Sequence, residues 1–324
     1  GDLFYQNFLY IRSMEGLRKI TESAKQVSSI IVIGFYLRLD NRLYNCAALI
    51  QGGKIKGIVP KMFLPNSKEF YEARWFGDGT RIAGATKSVT LFGYEIPFGH
   101  VLFEDEENGL KLGIEICEDL LRPITPGSYL ALNGAHIILN LSAGNETVSK
   151  SEFRKNLAVV ESGKNTCGYV YTSAGVFEST TDMVYGGHKI IAENGTCLAE
   201  SPLFERASTV LYGDIDYERI TFERSIDQNF DSCAYVHGCQ VEFVKAPLLP
   251  IKILETKDTL IRKFQKNPFV CTDPATMDQR CKEIFSIQSA GLAKRLEHTG
   301  SKKAVIGISG GLDSTLALLV CIES

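Results

Sequence analysis

The sequence predicts an α/β fold in two parts: a layered first domain over residues 1–245, a linker over 246–272, and the start of a second α/β domain over 273–324. Three observations lead there. Short β-rich runs turn back on themselves at Gly52-Gly53, Asn108-Gly109 and Asn194-Gly195, the composition of hairpins. Helical stretches feed short apolar runs such as 137–141, the order found in helix-covered sheets. The chain then closes with a long helix, an apolar run, a glycine pair and a further helix.

In chain order, "DLFYQNFLYIRSMEGLRKITESAKQ" carries apolar residues three and four apart and predicts a helix. "SSIIVIGFYLRL" is a strand, and "RLYNCAALIQGGKIKGIVPKMF" is two strands around the glycine pair. "SVTLFGYEIPFG", "VLFEDEENGLKLGIEIC" and "HKIIAENGTCLAES" are further strands or hairpins. Between them "SYLALNGA" leads into "HIILNLSA", and "KSEFRKNLAVVESGKNT" leads into "GYVYTSAG", each a helix followed by a buried strand. From Lys245 prolines and mixed charge without a period predict a linker. From Asp273 a helix with Pro274 near its start precedes the buried strand "KKAVIGIS" and a helix opening after the glycines.

The 324 residues leave room for one large or two ordinary domains, and 44% apolar with 23% charged residues is globular composition. A net charge of -3 gives no basic footprint, so nucleic acid and anionic membrane are not expected partners. Nine scattered cysteines, an odd number, do not form a secreted disulfide framework and predict a reducing, cytoplasmic setting. No apolar run reaches the roughly 18 residues of a membrane helix. Cys233, His237 and Cys239 lack a fourth ligand at zinc spacing and are read as a loop with incidental thiols.

Two stretches carry chemistry. Ser-Gly-Gly-Leu-Asp-Ser, 309–314, follows a predicted strand and opens a helix, so small residues and helix N–H groups face an approaching anion. Neither the Walker nor the dinucleotide glycine pattern is present. Cys117 ends a predicted strand before an acidic pair, where a thiol becomes a nucleophile if its proton is accepted. Alone, such a cysteine reads as a small buried hydrophobe.

The six-residue loop resembles the pyrophosphatase loop of ATP-dependent adenylating enzymes. That resemblance implies a nucleotide site over Gly307, Ile308, Ser309, Gly310, Gly311, Leu312, Asp313 and Ser314. Within it Ser309, Gly310, Gly311 and Ser314 would cradle the ATP pyrophosphate, and Asp313 would hold Mg²⁺.

Upstream, Lys61 in "KMFLP", the following "EFYEARWF" and "EICED" around Cys117 resemble glutaminase domains of the nitrilase superfamily, from Asp2 to about Val244. The resemblance implies a nitrilase-type α-β-β-α sandwich followed by the start of a doubly wound α/β synthetase domain. It also implies a Glu–Lys–Cys triad: Cys117 attacks the glutamine amide, while Lys61 and the backbone N–H of Glu118 stabilise the oxyanion. The general-base glutamate is expected ahead of "DLF", so the first strand and this base are expected to be absent, and the chain to be cut at both ends. Glu15 and Glu22 read as solvated helix charges, and Glu69 and Glu72 as pocket residues rather than replacement bases. For the glutamine backbone the resemblance points to Lys150, Gly144 and Ser67, where the family more often has arginine, serine and an aromatic residue.

Together the two halves resemble the glutamine-dependent NAD⁺ synthetase family. Its reaction implies glutamine, ATP and deamido-NAD⁺ as substrates and ammonia as the carried intermediate, and the resemblance to the nitrilase superfamily implies a homo-oligomer. With only the opening of the synthetase part, residues 1–324 alone are expected not to make NAD⁺ and to hydrolyse glutamine poorly. A stand-alone carbon–nitrogen hydrolase and a non-catalytic assembly module are the alternatives.

Overall fold

The computed structural model describes residues 2–178, 183–253, 260–264, 266–267, 270 and 273–324. Cys271 and much of the expected linker 246–272 lie outside the described residues. Contacts divide the chain between Arg262 and Lys263 into two units.

In the first unit, α1 (Asn7–Ser23) covers an antiparallel meander of β1 (Ile31–Leu39), β2 (Arg42–Gln51) and β3 (Lys54–Pro60). Alternation along β2 separates two layers, because successive side chains of a strand point to opposite faces. Cys46, Ala48 and Ile50 pack with Leu17 and Ala24 on the helix side. Ala47 and Leu49 pack with Phe103, Leu112 and Ile114 of the second sheet. Each large side chain buried there contributes roughly 1.5–3 kcal/mol. A small hairpin of β4 (Ser88–Leu91) and β5 (Tyr94–Pro97) follows.

The second sheet contains β6 (Val101–Asp105), β7 (Leu110–Ile116), β8 (Ile137–Ser142), β9 (Gly168–Ser173), β10 (Lys189–Glu193), β11 (Thr196–Glu200) and β12 (Val244–Pro247). Its spatial order is β11-β10-β9-β8-β7-β6-β12, with β7, β8 and β9 parallel. The outer face is covered by α2 (Pro126–Leu132) and α3 (Lys150–Lys164), whose Leu130 and Ala158 pack with Ile138, Tyr169 and Ile190. Helix, sheet, sheet and helix thus form the four layers of the nitrilase-type sandwich.

The expected linker begins inside this architecture. Lys245 and Ala246 pair in parallel with Leu102 and Phe103, and Asp105 accepts from the Ile251 N–H at 2.8 Å. The helices α4 (Tyr217–Ile226) and α5 (Gln228–His237) also appear without a sequence forecast. Asp216 and Asp227 cap them, but between them they bury only Ile220, so they carry little apolar period to read.

In the second unit, α6 (Pro274–Thr299) starts at Asp273, whose carboxylate accepts from the Ala275 N–H, and stops at Gly300 with φ +67°. After the glycine loop comes α7 (Leu312–Glu323). The strand expected over 302–309 is not formed: among the described residues nothing pairs with it, and Val305 is exposed. An extended run becomes a strand only when neighbours take its N–H and C=O groups.

Candidate active site

The carboxyl ends of the parallel strands β7, β8 and β9 are where an open α/β sheet leaves room for ligands. Cys117 follows the last residue of β7 and opens a short 3-10 turn, Cys117–Leu121, with φ +51°. A non-glycine residue is uncommon in that left-handed region, and here it turns the chain sharply at the strand end. The Cys117 N–H donates to Asn140 Oδ1 of β8 at 3.3 Å.

Lys61 directly follows β3 and is only 3% exposed. Its ammonium lies 2.5 Å from Glu72 Oε2, and the Asn45 amide donates to Glu72 Oε1 at 2.7 Å. Burial works against the charge of Lys61, but Cys117, Glu72 and Asp119 outweigh it and hold its pKa above the usual lysine value. The ammonium is therefore charged and faces the Cys117 sulfur electrostatically.

Asp119 ties the two loops together. Its fully buried carboxylate accepts from the N–H groups of Ile116 at 2.9 Å and Phe63 at 2.8 Å, one beside Cys117 and the other two residues after Lys61. Burial pushes this carboxyl up to about 8, with Glu115 adding to the rise while the two N–H donors and Lys61 oppose it.

The expected glutamine-anchoring residues sit nearby in different ways. Lys150, at the start of α3, lies 2.5 Å from Asn145 Oδ1, and Asn145 donates to Glu69 at 2.8 Å. Burial lowers the pKa of Lys150, opposed by Glu69 and, more weakly, by Cys117. Glu69 is held below the usual carboxylate range by its own backbone N–H and the Asn145 amide. A side chain added at Gly144 would begin 3.9 Å from the Tyr171 hydroxyl, itself pushed up to about 12 by burial and the Cys117 charge. Ser67 is exposed on the loop carrying Glu69. The Glu118 side chain pairs with Arg122 at 2.5 Å. Glu15 and Glu22 are exposed on α1.

The structure thus brings Lys61, Cys117, Gly144 and Lys150 to one end of the sandwich, with Ser67 at its edge. Sequence reasoning treated Glu72 only as a pocket residue and gave no role to Asp119, Asn45 or Asn140. The one readable signal was Asn140, a polar residue inside the apolar run "IILNLS".

The second unit carries the glycine loop. Gly310 has φ +83°, Ser309 and Ser314 hydroxyls lie 3.2 Å apart, and the Gly311 N–H reaches Ser309 Oγ at 3.4 Å. Gly311, the N-cap of α7, makes no side-chain cap bond, so the first N–H groups of the helix have no side-chain cap. Small residues, two hydroxyls and an uncapped helix start are the groups a pyrophosphate would need, and Asp313 lies in the first turn of α7. Cys233 and Cys239 are exposed, and the His237 ring bonds to Gln240. Among the described residues no three His, Cys, Asp or Glu side chains gather as a metal site. No helix among the described residues is long and apolar enough to cross a membrane.

The family model described as carbon-nitrogen hydrolase matches residues 5–224. The chain is 37% identical over 307 residues to a glutamine-dependent NAD(+) synthetase of Mycobacterium tuberculosis, covering 94% of this chain and 45% of that protein. It is 29% identical over 238 residues to the human enzyme of the same name, covering 69% of this chain and 32% of that protein. The chain thus spans about half the length, or less, of the curated relatives it matches. Among solved structures, a glutamine-dependent NAD(+) synthetase from Cytophaga hutchinsonii superposes with a TM-score of 0.57 at 28% identity, over 65% of this chain and 33% of that one. A carbon-nitrogen hydrolase from Helicobacter pylori shares the fold, with a TM-score of 0.52 at 18% identity over 69% of this chain and 73% of that one.

Proposed function

The chain belongs to the carbon–nitrogen hydrolase family, and on that premise we propose that its first unit releases ammonia from the side-chain amide of glutamine. The second unit belongs to an ATP-dependent part that uses the ammonia to amidate deamido-NAD⁺, a reading supported by relatives named glutamine-dependent NAD(+) synthetase. The observation that carries this reading is the buried Lys61–Glu72 pair beside a cysteine on a left-handed turn.

Cys117 Sγ attacks the amide carbon, and the charge that develops on the amide oxygen meets the Lys61 ammonium and the Glu118 N–H. Glu72 and Asn45 keep the ammonium in place, so Glu72 is committed to Lys61 rather than free as a base. A general base, a glutamate in the resembling family, takes the thiol proton and returns it to the leaving nitrogen. Ammonia departs from the tetrahedral adduct and leaves a thioester on Cys117, and water then releases glutamate and restores the thiol. Lys150 supplies a point charge for the substrate carboxylate. In the second unit Ser309, Gly310, Gly311 and Ser314 would hold the ATP pyrophosphate and Asp313 the Mg²⁺, and ATP when bound supplies the activation of the substrate carboxylate.

Treatment of the complete gene product with 6-diazo-5-oxo-L-norleucine, an electrophilic glutamine analogue, should add one label at Cys117 by peptide mass mapping. Cys117→Ala should lower glutamine-driven ammonia release at least about a thousandfold while free ammonium still supports NAD⁺ formation. Label on another residue, or hydrolysis retained in Cys117→Ala, would sink this reading.

A further inference from the structure

Beneath the Cys117 turn lies a buried polar cluster that the amide chemistry does not use. Glu115, the next-to-last residue of β7, points to the helix side of the sheet and is 1% exposed. Its Oε1 accepts from the Tyr169 hydroxyl and from Asn140 Nδ2 at 3.4 Å, and its Oε2 accepts from the Gly127 N–H at 2.8 Å. Burial raises its pKa, while Tyr169, Gly127 and Asn140, each donating, favour the ionised form. Asn140 Nδ2 also reaches the Tyr169 oxygen at 3.0 Å, and its Oδ1 accepts from the Cys117 N–H at 3.3 Å and the Ser142 hydroxyl at 2.9 Å.

The two ends of an asparagine amide are distinguished only by what they face. Both Glu115 oxygens accept, from the Gly127 N–H and the Tyr169 hydroxyl, so Glu115 meets the NH₂ end of Asn140 and leaves its oxygen end toward Cys117. We propose that Glu115 is a positioning residue that, by fixing the orientation of the Asn140 amide, holds the Cys117 backbone in its left-handed turn with the sulfur and the following N–H aimed at the substrate amide. This rests on Cys117 as the nucleophile of the proposed hydrolysis. A non-glycine residue at φ +51° costs energy to hold, and the Asn140 oxygen is the side-chain acceptor on its N–H.

The test is an exchange of donor and acceptor in the complete gene product. Glu115→Gln gives the inner site an NH₂ group, which removes the preference for the native Asn140 orientation. Asn140→Asp sets two carboxylates against each other. The double variant E115Q/N140D restores one acceptor facing one donor and keeps an oxygen at the Cys117 N–H. Each single variant should lower kcat for glutamine hydrolysis on the order of tenfold to a hundredfold with KM little changed, as for a buried hydrogen bond lost at a reacting group. Each should slow iodoacetamide labelling of Cys117, followed by peptide mass mapping, by a similar factor.

The double variant should recover most of both rates, which a merely structural role for either residue does not predict. If Glu115→Gln proves insoluble, Asn140→Ala, which removes the acceptor without adding charge, should show the same loss of kcat. A folded Glu115→Gln or Asn140→Ala protein with wild-type kcat and labelling rate overturns the proposal, as does a double variant no better than the singles. A wild-type protein that does not hydrolyse glutamine overturns the functional reading instead, and the labelling rates still decide the role of Glu115.

Discussion

The turn at Cys117 and the loop at 309–314 are both glycine- or strain-dependent bends at the start of a helical segment, yet they are held in different ways. The Cys117 turn is fixed by long-range partners: Asn140 from β8 on its N–H, and Asp119 tying it to the loop after Lys61. The loop at 309–314 is fixed by its own residues, since its hydrogen bonds run among Ser309, Gly311, Ser314 and Thr315. A nucleophile must meet one carbon at one angle, so its geometry is set by the rigid sheet. A pyrophosphate cradle needs only small residues and outward N–H groups, which a short stretch supplies by itself.

The largest expected break in this contrast is Lys61→Ala. It takes the cation from a half-buried Glu72 carboxylate that keeps only the Asn45 amide, a loss below the roughly 3–5 kcal/mol of a fully buried pair. Thermal and urea melts should show the loss in the first unit. Replacing both partners, K61M/E72Q, should recover stability without recovering ammonia release. A K61M/E72Q protein that still hydrolyses glutamine would remove Lys61 from the chemistry. The pH sign follows from the native pKa lying above the unfolded value of 10.5: the contribution is complete below 10.5 and is lost as pH rises through the native value.

Next comes acid sensitivity, which a buried histidine of the first unit confers. His136 accepts the Lys111 N–H on Nδ1 at 3.0 Å, so Nε2 carries the hydrogen and donates to Thr221 Oγ1 at 3.1 Å. Burial first, then Arg224 and Lys111, depress its pKa to about 4. The unfolded chain binds that proton more readily, so stability is full above the unfolded value of 6.5 and falls as pH drops from 6.5 toward 4. Urea melts at stepped pH should show this slope in the wild type and a smaller one in His136→Asn. Equal slopes would remove His136 from the account.

What was legible in the sequence follows the same line. Hairpins such as β2–β3 and helix–strand pairs such as α3–β9 were readable because their pattern is local, an alternation or a turn residue at the bend. The strand β12 was not, because a four-residue run containing Lys245 and Pro247 becomes a strand only through its parallel partner β6. The site divides in the same way. Lys61, Cys117 and the 309–314 loop stand in short motifs, whereas the roles of Glu72, Asp119 and Asn140 arise from pairings across 11 to 56 residues of chain. The strand expected over 302–309 shows the converse, an apolar run that reads as a strand but has no partner among the described residues.

The smallest effect separates the two bends most cleanly. At Gly79 the backbone is ordinary, but an added Cβ would fall 2.2 Å from the Lys61 carbonyl oxygen, and the Gly79 N–H donates to that same oxygen at 3.1 Å. Gly79→Ala should therefore push the Lys61 backbone aside, costing about 1–3 kcal/mol in melts and lowering kcat for glutamine with little change in ATP use. At Gly310 the opposite holds: nothing lies within 4 Å of an added Cβ, but φ is +83°. Gly310→Ala should cost about 1 kcal/mol of loop conformation only, raising the KM for ATP on the order of fivefold and leaving melts of the first unit unchanged. A Gly310→Ala protein with lowered kcat for glutamine would show that the two sites are not independent, and a Gly79→Ala protein with wild-type kcat would remove the Lys61 backbone position from the account.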